Sequence, residues 1–354
     1  MQLETLSRHR RALHRRAETD WQLPRTAAYV RDVLRALPCE VFSPVGDAVC
    51  AYFDFGKAET VAVRSDMDAL PIAEQTGLPF ASETAGTMHA CGHDGHMATV
   101  LTLAQTLPSL TPERNVLLIF EPAEETTGGA QAICDTGVLE KYHVTRIYGL
   151  HLWPELPKNT VASRAGGMMA RSCELNVTVE GKSVHLAKWR EGADALAAAA
   201  AFVLRAYALA EDLPCLLRFG KMEAGEARNS VSQSAALQGS LRCFDDELFS
   251  KLWDALEALS AGISAETGCT VSLSRSEGYP PVTNDAALLA EARERFPVEE
   301  VAPTFITEDF SAYQRRVPGV FFLLGTGGEP LHSPRFDFDE AVLQTGLSLL
   351  TALL

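Results

Sequence analysis

The sequence predicts an α/β protein: a split domain built on a mostly parallel sheet flanked by helices, interrupted by a smaller ferredoxin-like α+β domain. Three observations predict it. Short apolar strands around Val61–Arg64, Asn115–Phe120, Thr145–Leu150 and Val320–Leu324 are separated by helical patterns, which implies parallel pairing through crossover connections. Between the third and fourth of these, residues 171–277 change texture, and Leu175-Asn176-Val177-Thr178-Val179-Glu180 alternates apolar with polar as an antiparallel strand with one wet face does. The length, 354 residues, exceeds what one core normally serves.

Composition narrows the class of function. The 47% hydrophobic and 22% charged fractions are those of an ordinary globular protein. A net charge of −15 argues against nucleic acid or an anionic membrane as partner. No run of 18 apolar residues occurs, and the polar, basic start lacks the apolar core of a signal peptide. Eight cysteines without a C-x-x-C pair read as buried small hydrophobes in a reducing compartment, so a cytoplasmic protein is expected.

Taken in order, residues 3–37 read as two helices broken near Trp21–Pro24. Arg8, Arg10, Arg11, His14, Arg15 and Arg16 are expected on a solvated face of the first. The strand at 61–64 runs into Asp66 and Asp68, which either cap the next turn or orient a metal-binding histidine. Met88–His96 then packs three of the chain's nine histidines, a cysteine and an aspartate into nine residues, on a loop ahead of the helical pattern Met97, Val100, Leu101, Ala104 and Leu107. Sulfur and imidazole one residue apart at Cys91 and His93 suit zinc, manganese or a similar ion, although a helix cap plus a buried cysteine reads equally well from this stretch alone. The strand at 115–120 leads to Glu124 and Glu125, adjacent carboxylates that repel unless a cation is near, or that simply favour a helix start. The strand at 145–150 delivers His151, and the strand at 320–324 leads through a glycine-rich turn to His332. Ligands of open α/β sheets bind beyond the carboxyl ends of the strands. Four polar ends on one sheet edge therefore favour a metal site over four unrelated caps.

The inserted segment reads as a strand, an alanine-rich helix over Ala193–Ala210, strands near 216–223 and 235–243, a helix near 246–266 and a last strand. This β-α-β-β-α-β order is ferredoxin-like. The expected domains are 1–168 with 278–354, and 169–277.

The blocks Arg64–Pro71, Met88–His96, Phe120–Glu125 and Gly149–His151, followed by Gly181–His185, Asn229, Glu308–Phe310 and His332–Phe336, run in the order found in M20 metallopeptidases. The chain resembles their N-acyl-amino-acid amidohydrolase subgroup, with its aminoacylase-like, hippurate hydrolase-like and auxin-conjugate hydrolase-like enzymes. The run Ser183–Arg190 departs from the glycine pair and proline that family members usually carry around the histidine, which bears on substrate preference. The resemblance implies two divalent ions per subunit, zinc or manganese first and nickel or cobalt next, with Cys91, His93, Glu125, His151 and His332 as ligands. It implies Glu124 as general base, Asp66 as an orienting carboxylate, and His185 with Asn229 as donors reaching the site from the inserted dimerisation or lid domain of the partner in a homodimer. Arg242 is a candidate for the substrate's α-carboxylate. His89 and His96 take no assigned role, and Glu308-Asp309-Phe310 is either a rim of the site or a helix start. The expected activity is hydrolysis of the amide bond in N-acyl amino acids. Its alternatives are a dipeptidase, a deacetylase of a diamino acid such as N-acetyl-diaminopimelate, a non-catalytic metal-binding protein, and an amidase with Cys91 as nucleophile.

Overall fold

Four strands, Asn115–Glu121, Thr60–Asp66, Val144–Trp153 and Gly319–Gly325, lie side by side and parallel at the centre of an eight-stranded sheet. The computed structural model that shows this describes residues 2–354. The sheet continues on one side through Val49–Phe53 and Glu40–Phe42, both antiparallel, and on the other through Val161–Ser163 and Glu299–Glu300. Every residue of Thr60–Asp66, Asn115–Glu121 and Gly319–Gly325 is buried, as strands covered by helices on both faces must be. Their β-branched and aromatic side chains suit that setting.

The helix His93–Thr106 follows the histidine-rich stretch. The sequence places that stretch on a loop and reads one apolar stripe behind it. Instead His93, Asp94 and His96 lie in the first turn of the helix, and its first twelve residues are all buried. Small residues make this possible. A Cβ on Gly95 would come within 2.8 Å of Phe338 Cζ and 2.9 Å of Leu152 Cδ1, so only glycine admits the close approach. The N-terminal helices are Gln2–His14 and Pro24–Arg35. The first departs from its expected solvated basic face: Arg8 and Arg11 are exposed, whereas Arg10 and His14 are buried.

The chain forms two compact units. One runs through Met168 and resumes over Thr283–Ala302 and Asp309–Leu354; the other comprises Met169–Val282 and Pro303–Glu308. The second has an antiparallel sheet ordered Thr270–Arg275, Glu174–Glu180, Ser234–Cys243, Cys215–Ala224. Its helices Ala195–Ala210 and Asp246–Thr267 share a core with that sheet, in which Leu175, Val177, Phe202, Leu217, Leu237 and Phe249 meet. Each helix begins where an aspartate side chain accepts main-chain N–H groups: Asp194 from Leu196 and Ala197, and Asp245 from Leu248. The element order is the ferredoxin-like one. No helix among the described residues is long and apolar enough to cross a membrane.

Candidate metal centre

Parallel pairing sets Asp66 beside Glu121 and Leu323 beside His151, which brings the carboxyl ends of the central strands to one edge. His151 sits inside its strand, two residues before the end at Trp153, rather than beyond it. At this edge the histidine tautomers are determined by their partners. His93 Nδ1 is 2.8 Å from the Asp68 carbonyl oxygen, which can only accept, so Nδ1 is the donor there and Nε2 is the nitrogen left to face the other side chains. That Nε2 is buried and has no hydrogen-bond partner among the described residues. In the same way His151 Nδ1 donates to the Leu152 carbonyl at 2.7 Å, leaving Nε2 facing Cys91 Sγ at 3.4 Å. His332 Nε2 stands 3.4 Å from Glu125 Oε1, and His93 Nε2 stands 3.8 Å from that same oxygen. Two ligands on one tetrahedral ion are separated by roughly 3.3–3.8 Å, given bonds of about 2.0–2.3 Å. The pairs Cys91–His151, His332–Glu125 and His93–Glu125 thus stand at ligand-to-ligand spacing, with His332 at the exposed side of the group.

The two glutamates are placed by the main chain. The chain leaves Asn115–Glu121 through Pro122 and Ala123, and Ala123 takes a left-handed conformation with φ +63°. Asp68 then accepts the N–H of Glu124 on one carboxylate oxygen and that of Glu125 on the other, each at 3.1 Å. Beyond the turn, a Cβ on Gly129 would fall 2.0 Å from the Pro122 carbonyl oxygen, so the fold is closed only by glycine there. His332 is also left-handed, at φ +63°, one of five such non-glycine residues among those described, with Asp20, Ala123, His143 and Asn159. Strain of this kind costs about 1–3 kcal/mol per residue and survives where the surroundings hold it.

Beneath the donors lies a buried polar network. Arg64 donates to Asp66 (2.8 Å), Glu121 (3.0 and 3.2 Å) and Asp309 (2.8 Å), and Tyr313 donates its hydroxyl to Glu121 at 2.7 Å. Asp309 also accepts the Ala130 N–H, so it belongs to this network rather than to a rim. Asp66 accepts from His96 Nδ1 at 2.7 Å, while His96 Nε2 accepts the Leu152 N–H at 2.9 Å. His96 lies within ligand reach of Asp66, His93 and His151, yet both of its nitrogens already have partners. It therefore serves the main chain next to His151. His89 is buried with neither nitrogen hydrogen-bonded among the described residues, and burial lowers its pKa to about 3, so it packs as a neutral ring.

The electrostatics of the pocket favour a cation. Burial would lower the His93 pKa, but Asp66, Asp68 and Glu125 raise it to about 10, because negative charge surrounds the ring. Burial acts oppositely on Glu125, and His332 and His93 outweigh it to hold that carboxylate below its usual range. The Cys91 thiol is pushed well up by burial and by Glu125, Glu124 and Asp66. A nucleophilic cysteine needs an electropositive setting, so this one is a ligand candidate and not an attacking group.

The remaining predicted residues stand in the second unit. His185 accepts the Ala187 N–H at the start of a short 3-10 helix, and the neighbouring Leu186 N–H donates to the Asn229 carbonyl at 2.9 Å, which makes His185 and Asn229 neighbours. Both side chains are exposed. Arg242 donates to the Phe305 carbonyl at 2.6 Å and to Ser240 at 3.3 Å. Sequence reasoning gave Asp68 no separate role and passed over Arg64 and Glu121. A signal existed: Arg64 and Glu121 are charged residues within or closing apolar strands, and such a charge must find a buried partner.

Comparison with known proteins gives the family. Residues 62–354 match the model of peptidase family M20/M25/M40. An N-acetyldiaminopimelate deacetylase of Lactococcus lactis subsp. cremoris (strain SK11) is 36% identical over 298 residues, 80% of this chain and 79% of the relative. A second, from Limosilactobacillus fermentum, is 32% identical and covers 99% of this chain and 96% of its own length. Among solved structures, the Bacillus subtilis YXEP protein, a dinuclear metal binding peptidase from the M20 family, superposes with a TM-score of 0.88 at 30% identity, covering 99% of this chain and 97% of that one. The chain belongs to peptidase family M20/M25/M40 and is an amidohydrolase.

Proposed function

We propose that the substrate is an N-acyl amino acid, cleaved to a carboxylate and a free amino acid, and that Cys91, His93, Glu125, His151 and His332 hold two divalent metal ions. The observation that carries this reading is the inward-facing Nε2 of His93, buried without a hydrogen bond among the described residues amid carboxylates. Sulfur, imidazole and carboxylate together suit zinc or manganese, with nickel and cobalt as further candidates. Two such ions, when bound, supply Lewis-acid polarisation of the acyl carbonyl and acidify a water toward neutrality.

The chain's own residues do the rest. Glu124, nearly buried and clamped at its N–H by Asp68, takes the proton from the attacking water and delivers it to the leaving amine. Asp66 holds His96, and His96 holds the Leu152 N–H, which keeps the His151 ring in place. His185 and Asn229 donate to the developing oxyanion from the second unit of a partner subunit, and Arg242 takes the α-carboxylate. The homodimer this requires is supported by the edge strand Cys215–Ala224 and by exposed Leu196 and Leu204 in the same unit. All eight cysteines are unbonded, which supports a cytoplasmic setting.

A second reading, deacetylation of an N-acetylated diamino acid, is favoured by the names of the relatives above. A side-by-side assay of N-acetyl and N-benzoyl amino acids, N-acetyldiaminopimelate and dipeptides, each with zinc, manganese, cobalt or nickel, separates the readings. Acylated substrates are expected to exceed dipeptides, and preferential dipeptide cleavage would overturn the proposal. Glu124→Gln is expected to keep its metal and lose about 10²- to 10⁴-fold in kcat.

A further inference from the structure

We infer that Arg10 and His14 of the N-terminal helix are positioning residues of the metal centre, registering the segment that carries His93 against the segment that carries His332. The inference rests on the metal reading above. Both residues belong to the basic run whose sequence suggests a wet helix face, and both lie outside the span matched by the family model. Arg10 is only 2% exposed. Its fork reaches two directions at once. Nε donates to Asp94 at 3.2 Å, while Nη2 donates to Asp337 at 2.5 Å and Nη1 to the Phe338 carbonyl at 3.3 Å, and the guanidinium lies 3.9 Å above the Phe338 ring.

Asp94 directly follows His93, and its carboxylate also receives His14 Nδ1 at 2.8 Å, with the far side of that ring 3.3 Å from Glu74. Asp337 and Phe338 follow His332 in the same segment, whose start is tied by the His332 N–H to the Ala90 carbonyl at 2.8 Å. One buried cation therefore joins the two ligand-bearing segments. Coverage of the core does not require this, because Leu6 and Leu13 of the same helix already supply apolar packing. A buried ion pair offers little stability over apolar groups of equal volume. What a rigid planar fork does provide is a fixed distance and angle between the groups it binds, a task that lysine performs poorly.

The test compares Mn²⁺ binding, by equilibrium dialysis with metal analysis, and thermal unfolding of metal-free protein in wild type, Arg10→Lys, Arg10→Gln and Asp337→Asn. Arg146→Gln serves as a control, since Arg146 pairs with Glu291 elsewhere in the same unit. The two Arg10 variants and Asp337→Asn are expected to bind Mn²⁺ about 10- to 100-fold more weakly, the usual effect of removing a group that supports a ligand. The control is expected to lose thermal stability with its affinity unchanged, which a merely structural role of Arg10 would also produce. Should Arg10→Gln fail to fold, Asp337→Asn decides, because the Asp337 side chain is 38% exposed. Wild-type affinity in the folded variants overturns the inference. Wild-type protein that binds none of Mn²⁺, Zn²⁺, Co²⁺ and Ni²⁺ overturns the metal reading and this inference with it.

Discussion

Asp68 holds the N–H groups of Glu124 and Glu125 on its two oxygens, so both glutamates are placed through their main chain before their side chains act. An amide in its place offers one acceptor for two donors. Asp68→Asn is therefore expected to lower kcat about 10- to 100-fold, the loss of a hydrogen bond to a charged group, with KM little changed. Steady-state kinetics on an N-acetyl amino acid check this, and an unchanged kcat would remove the clamp from the account. His14 gives a pH signature at the same scale. Burial would lower its pKa, but Asp94 and Glu74 raise it to about 9 from the ordinary 6.5. A folded-state pKa above the unfolded one means that the stabilisation is complete below pH 6.5 and is lost as pH rises through 9. Urea unfolding of metal-free protein should show His14 contributing on the order of 3 kcal/mol of that decline, and His14→Gln should flatten the slope. The candidate ligands were legible as residues because histidines and paired glutamates, costly to bury without a task, gather with Cys91 near the ends of apolar strands. Their tautomers were not, since those depend on carbonyls such as Asp68 and Leu152 that no motif specifies.

At the scale of elements, the turn between Glu121 and Gly129 determines where the glutamates point. Its geometry combines a left-handed Ala123 with a glycine whose missing Cβ leaves room for the Pro122 carbonyl. Since the obstructing atom is backbone, Gly129→Ala must displace the turn itself. The expected result is a lower unfolding temperature together with a loss of kcat of at least about tenfold, equivalent to roughly 1.4 kcal/mol in the transition state. A variant with wild-type kcat would show that the turn tolerates movement. The strands of the second unit were readable in advance because Glu174–Glu180 keeps one wet face, and that alternation survives in the sequence. The helix His93–Thr106 was read less well. It is buried all round, so its period carries little information about which side faces what. The first helix misled for the opposite reason: arginine and histidine usually mark solvent, and only the positions of Asp94 and Asp337, far away in sequence, reveal that Arg10 does not.

At the scale of the whole molecule, parallel topology is what turns scattered motifs into one site. Asp66, Glu121 and His151 are widely spaced along the chain, yet pairing of the central strands brings them to one sheet edge, where His332 joins them through Glu125 and the Ala90 carbonyl. That convergence was visible in the sequence, because each polar cluster follows or closes an apolar strand. The depth of the supporting network was not, because Arg64, Glu121, Asp309 and Tyr313 come from three separate stretches with no shared pattern. On the proposed reading, amide hydrolysis depends on divalent ions held at this edge. The most direct test is to titrate exhaustively chelated protein with Mn²⁺ or Zn²⁺ while following both bound metal and release of the free amino acid. No turnover is expected without metal, and full activity as two ions bind per chain; full turnover by the metal-free protein would contradict metal-dependent hydrolysis.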